Sequence, residues 1–124
     1  MDRTLRKLLI VEDEAYVVER VKGMLKKYNF SIDFASEAKK AKELLLNPYD
    51  VVITSVYVYG ITSLEINKLA HDKNKAVLVI VTTNLSNIDL AQKTVKEGAF
   101  DYVIKPQELE KIESLVKVYL ITKG

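Results

Sequence analysis

Tyr49-Asp50-Val51-Val52-Ile53-Thr54-Ser55 decides how this chain folds. Val51, Val52 and Ile53 form an apolar, β-branched run entered from the turn signal Asn47-Pro48, so it reads as a buried strand. The run ends on two hydroxyl side chains and passes into a loop, Val56-Tyr57-Val58-Tyr59-Gly60. In an open parallel α/β sheet, ligands and chemistry sit just past the carboxyl ends of the central strands. Ser55 is therefore the residue to explain.

Upstream, Leu8-Leu9-Ile10-Val11 is a continuous apolar run, read as a strand buried on both faces. It stops at Glu12-Asp13-Glu14, where Asp13 is expected to cap a helix carrying Val17, Val21, Met24 and Tyr28 inward and closed by Asn29. Ser31-Ile32-Asp33-Phe34-Ala35 alternates and reads as an edge strand; Ser36 is expected to cap a second helix with Ala38, Ala41 and Leu45 inward.

Downstream, Thr62-Ser63-Leu64-Glu65 has the capping-box pattern of a third helix with Leu64, Ile66, Leu69 and Ala70 on its apolar side. Ala76-Val77-Leu78-Val79-Ile80-Val81 is the most apolar run and reads as a central strand ending on Thr82-Thr83-Asn84. Ser86-Asn87-Ile88-Asp89 is a second capping box, opening a helix that buries Ile88, Ala91 and Val95 and ends at Gly98. Asp101-Tyr102-Val103-Ile104 is a short strand reaching Lys105-Pro106, and the last helix puts Leu109, Ile112, Val116 and Tyr119 on one face. Strand and helix alternate about five times, which predicts an α/β fold: a parallel sheet covered by helices on both faces.

Bulk properties narrow the function. The chain's 124 residues, 48% of them hydrophobic, fit one domain over residues 1–124 with a proper core. The net charge of +2, with 29% charged residues, calls for neither nucleic acid nor an anionic membrane as partner. The absence of cysteine removes disulfides, thiolate metal sites and cysteine nucleophiles, and suits a cytoplasmic location. No apolar run approaches the ~20 residues that span a bilayer. The charged start Met1-Asp2-Arg3-Thr4-Leu5-Arg6-Lys7 leads into a run too short for a signal peptide. The chain stops soon after its last helix, so no output domain is expected within it.

Glu12-Asp13, Thr54-Ser55 and Thr82-Thr83 each follow a buried strand, and Lys105 follows the last one. Right-handed crossovers bring all four sets to one edge of the sheet. Acids, hydroxyls and a lysine together suit Mg²⁺ and a phosphoryl group.

The motifs Leu-Leu-Ile-Val-Glu-Asp-Glu, Tyr-Asp-Val-Val-Ile followed by Gly60, Val-Ile-Val-Thr, and Gly-Ala-Phe-Asp-Tyr-Val-Ile-Lys-Pro resemble the receiver domains of two-component response regulators, in order and over nearly the whole chain. The resemblance implies a flavodoxin-like, doubly wound five-stranded parallel sheet of order 2-1-3-4-5 and a cytoplasmic signalling role. It implies that Glu12 and Asp13 match the acidic pair that holds Mg²⁺, Thr82 the switch hydroxyl, Tyr102 the switch aromatic, Lys105 the phosphate-pairing lysine and Pro106 a cis proline. The phosphoacceptor aspartate of the family is matched by Ser55.

That departure changes the chemistry. An aspartate is ionised at neutral pH and attacks phosphorus directly, whereas a serine hydroxyl needs a base to take its proton. The only histidine, His71, falls near the end of the third helix. Replacing one carboxylate moves the site charge from about −2 to about −1, so Mg²⁺ binding is expected to be weak or vestigial, and no cofactor is implied. Thr83 adds bulk where the family favours Ala or Gly, and Tyr59 stands where a proline usually precedes the loop glycine. These departures predict a pseudo-receiver, not an enzyme, in which Lys105 forms an ion pair with Asp13.

The expected function is a phosphorylation-independent interaction module. Its partner would be a histidine kinase, an output domain or a second copy, met through the fourth helix, the Tyr102 strand and the last helix. The rival readings are an active phosphoacceptor receiver, a small-ligand binder at the same crevice, and Ser55 as a serine-kinase target. Blander readings stand beside these. Glu12 and Asp13 suit a helix N-terminus, Thr82 can bond to backbone, His71 can be a surface residue, and Tyr57, Tyr59 and Tyr102 can be loop cover or a contact patch.

Overall fold

A computed structural model describes residues 5–123, so residues 1–4 of the charged start and Gly124 lie outside the described part. The elements run β1 (Arg6–Val11), α1 (Ala15–Leu25), β2 (Phe30–Ala35), α2 (Ala38–Leu44), β3 (Val51–Ser55), β4 (Tyr57–Val58), β5 (Ile61–Thr62), α3 (Ser63–Lys73), β6 (Leu78–Thr83), α4 (Ile88–Lys96), β7 (Asp101–Ile104) and α5 (Lys111–Lys123). Five strands form one parallel sheet in the order β2-β1-β3-β6-β7. Leaving aside the short pair β4–β5, this is the order 2-1-3-4-5 expected of a flavodoxin-like chain.

Alternation along the strands splits the core in two. Leu8, Ile10, Val51, Ile53, Leu78, Ile80 and Val103 pack under α1 and α5 with Val17, Val21, Leu25, Ile112 and Val116. Leu9, Val11, Val52, Val79 and Val81 pack on the other face with Ala41, Leu45, Ile66, Ala70 and Ala91. The central strands β3 and β6 are buried along their whole length, which is why they read as unbroken apolar runs.

Several caps differ from expectation. Glu14, not Asp13, is the N-cap residue of α1, and its side chain makes no capping bond. Its carboxylate is committed to Lys105 instead. Glu37, not Ser36, caps α2, its side chain accepting from the Lys40 N–H at 2.6 Å. Before α4 a short 3₁₀ turn (Leu85–Asn87) intervenes, and Asn84 rather than Ser86 caps it, accepting from the Asn87 N–H at 3.1 Å. Ile88 is consequently only half-buried, while Thr94 is buried beside Ala91.

Polar residues hold α3 against α4. Ser63 and Thr94 share a hydrogen bond of 2.7 Å, Thr94 also donates to the Leu90 carbonyl at 2.8 Å, and Asn67 donates to the Glu97 carbonyl at 3.0 Å. The stretch after Ser55 is a small antiparallel hairpin rather than an unstructured loop, with Tyr57 opposite Thr62 and Val58 opposite Ile61.

Candidate functional site

Glu12 extends β1, donating its N–H to the Ala35 carbonyl at 3.0 Å. Ser55 ends β3 and lies in register with Thr82 near the end of β6. Lys105 follows β7 and donates its N–H to the Thr83 carbonyl at 2.8 Å. Strand parity then sends four side chains to one face: Glu12 after Leu8 and Ile10, Ser55 after Val51 and Ile53, Thr82 after Leu78 and Ile80, Lys105 after Val103. All four are buried.

The four are bonded to one another. Lys105 Nζ lies 3.2 and 3.1 Å from the two Glu12 oxygens and donates to Ser55 Oγ at 3.3 Å. It also reaches Glu14 Oε2 at 2.7 Å. Thr82 Oγ1 donates to Glu12 Oε1 at 3.1 Å. The strand-end hydroxyl that bonds to backbone is Thr83, donating to the Asn84 carbonyl at 2.8 Å, and not Thr82. Thr54 also turns to backbone, donating to the Ser55 carbonyl at 2.9 Å.

The expected Asp13–Lys105 ion pair is replaced by pairs to Glu12 and Glu14. Asp13 is exposed and outside the cluster. The reason is local: Glu14 is extended, with φ −90 and ψ 111, so residues two apart share a side and Asp13 faces the opposite way. Glu14 is the site residue missed in the sequence. The two-residue spacing of Glu12 and Glu14 points to a shared side only if the backbone stays extended through Glu14, a condition the sequence does not state.

Thr82 and Thr83 lie on opposite faces of the sheet. Thr82 reaches the charged cluster, but Tyr102 pairs with Val81 and packs on the other face of the sheet, the face of Thr83. Tyr102 is half-buried, and its hydroxyl accepts from the exposed Gln92 side chain at 3.3 Å, so the ring tip lies at the surface. The Lys105–Pro106 peptide is cis, as the resemblance implied. His71 lies on α3, away from the cluster, with Nδ1 2.9 Å from the Asn67 carbonyl.

Electrostatics fix what this arrangement can do. Burial pushes the Glu12 carboxyl above its ordinary pKa, with the Lys105 ammonium opposing it. Burial alone would lower Lys105, but the hydrogen bond it donates to Glu14 and the charge of Glu12 outweigh it and raise the pKa. Lys105 therefore stays protonated and donates to Ser55; it cannot take the serine proton, and the hydroxyl remains a weak nucleophile. A divalent cation fits this donor set poorly, because both Glu12 oxygens already accept from an ammonium and Asp13 lies outside the cluster. Among the described residues no three Asp, Glu, His or Cys side chains are grouped to hold a metal ion.

Comparison with known proteins agrees with the fold. The chain is 34% identical over 119 residues to the transcriptional regulatory protein MalR of Bacillus subtilis (strain 168), an alignment covering 90% of this chain and 49% of that protein. It is 33% identical over 103 residues to a cyclic di-GMP phosphodiesterase of Thermotoga maritima, covering 83% of this chain and 28% of the other. The chain thus spans half or less of these relatives. A crystal structure of a receiver domain protein from Clostridium thermocellum superposes with a TM-score of 0.81 at 24% identity, covering 96% of this chain and 97% of that one. The family model for the response regulator receiver domain matches residues 8–117, and this chain belongs to that family.

Proposed function

We propose that this receiver is not phosphorylated on an aspartate and works as a phosphorylation-independent protein-interaction module in two-component signalling. The reading rests on one observation: Lys105 closes the cluster internally, holding Glu12, Glu14 and the neutral Ser55 at the strand ends. Ser55 stands where the family carries its phosphoacceptor aspartate. With Lys105 bonded in this way, both Glu12 oxygens are already occupied, so any Mg²⁺ bound by Glu12 and Asp13 must displace the ammonium and is held weakly. The domain then presents one shape rather than switching between two.

The partner is a protein, met through α4, β7 and α5. Tyr102 lies half-exposed there, and Val118 and Ile121 are exposed on α5. A histidine kinase, an output domain or a second copy are the candidate partners, and the setting is cytoplasmic. Among the described residues no helix is long and apolar enough to cross a membrane.

The test is incubation with Mg²⁺ and acetyl phosphate or beryllofluoride, followed by intact mass and tyrosine fluorescence. No adduct and no fluorescence change are expected. A stoichiometric, acid-labile phosphoryl adduct overturns the reading. Ser55→Asp is expected to restore Mg²⁺ binding, because it returns a third carboxylate to the strand ends.

A further inference from the structure

The two edges of the main sheet are finished differently. At β7, the residues whose backbone turns outward are Tyr102 and Ile104, since Lys105 bonds inward to β6. Both outward N–H groups are taken by nearby carboxylates: Tyr102 by Asp101 Oδ1 at 2.7 Å, Ile104 by Glu108 Oε1 at 2.9 Å. That edge is closed to another strand. At β2, the Glu12 N–H bonds the Ala35 carbonyl, so Ser31, Asp33 and Ala35 face β1 while Phe30, Ile32 and Phe34 turn their N–H and C=O groups outward. Among the described residues these outward N–H groups have no hydrogen-bond partner. β2 carries no proline, lysine or glycine, and its one acid, Asp33, is held by the Tyr49 hydroxyl at 2.6 Å. A six-residue edge strand with open N–H groups and no proline, lysine or glycine is a template for strand addition.

We infer that β2 pairs antiparallel with β2 of a second copy, joining two five-stranded sheets into one. A two-fold axis permits only the antiparallel arrangement, and the strand is self-complementary when the axis passes through Ile32. Ile32 then faces its own copy and Phe30 faces Phe34 of the partner; each outward-facing pair exchanges both backbone hydrogen bonds. The same register sets Asp33 opposite Ser31, so no like charges meet and the half-exposed Phe34 ring gains an aromatic neighbour. This surface lies at the opposite edge of the sheet from β7, so a protein bound at α4, β7 and α5 leaves it free.

Sedimentation equilibrium across a dilution series tests the pairing, with amide exchange read at both edges. The expected result is a concentration-dependent dimer in which the Phe30, Ile32 and Phe34 amides lose protection on dilution while Tyr102 and Ile104 do not change. Ile32→Lys and Ile32→Glu, each checked for folding by circular dichroism, are expected to be monomeric alone, since the register sets like charges against each other across the axis, and to associate on mixing, since it then sets the lysine against the glutamate. A monomer at every concentration, with freely exchanging β2 amides, overturns the inference. So does a dimer that survives both substitutions, or variants that stay monomeric when mixed.

Discussion

At Lys105 one ammonium serves two carboxylates and a hydroxyl, and its removal would strand Glu12 in a buried position without a counter-charge. Lys105→Met is expected to cost about 3–5 kcal/mol in urea unfolding, because breaking a buried pair from one side leaves an uncompensated charge. The double variant with Glu12→Gln should recover most of that loss. Titration carries a second prediction. The Glu12 carboxyl is raised in the fold, so the stability it contributes is complete below the unfolded glutamate value and is lost as pH rises through the folded value. Lys105 is raised as well, so its contribution is complete below the unfolded lysine value and is lost only as pH climbs through the folded one. Neutral pH lies below the unfolded lysine value, so the Lys105 part is intact there; the Glu12 part is lost wherever the pH exceeds the raised carboxyl value. Urea midpoints measured downward from neutral should show the wild type gaining on Glu12→Gln through the Glu12 window, with carboxyl carbon shifts locating the midpoint above the ordinary range.

Among the elements, the β4–β5 hairpin follows directly on Ser55. Its turn depends on Gly60, which has φ 87 and whose missing Cβ would stand 3.0 Å from the Ala38 Cβ. Gly60→Ala should cost about 1–2 kcal/mol, the ordinary expense of a left-handed backbone for an L-residue, read as a shift in the thermal midpoint. The same hairpin ties to the loop before α2, where the Ala38 N–H donates to the Tyr59 carbonyl at 2.9 Å. The Tyr57 and Tyr59 side chains are exposed, whereas Tyr102 is half-buried against the core. The α3–α4 seam is the other element that alternation could not disclose. Ser63, Asn67 and Thr94 are buried because they bond across the seam or to helix carbonyls, at positions where an apolar stripe would be expected.

For the molecule as a whole, a cluster whose Glu12 oxygens already accept from Lys105 predicts indifference to metal. Millimolar Mg²⁺ should leave the thermal midpoint of the wild type unchanged, because a ligand stabilises only what it binds in the folded state. Ser55→Asp should make the midpoint rise with Mg²⁺. A wild-type midpoint that climbs with metal would mean that Lys105 yields Glu12 readily, and the closed cluster would no longer explain the site.

The sequence by itself determined the layers and the convergence of Glu12, Ser55, Thr82 and Lys105, while the strand order came from its resemblance to receiver domains. Buried parallel strands must be apolar on both faces, and right-handed crossovers leave little freedom in where their ends lie. Tertiary structure alone decided which acid meets Lys105, which threonine shares a face with Tyr102, and which sheet edge stays open. Each of those depends on where a side chain points after a strand has ended, or on a carboxylate reaching back to a backbone N–H. Residue type and spacing do not encode such directions; they are set by the dihedral angles of one or two residues under the packing of their neighbours.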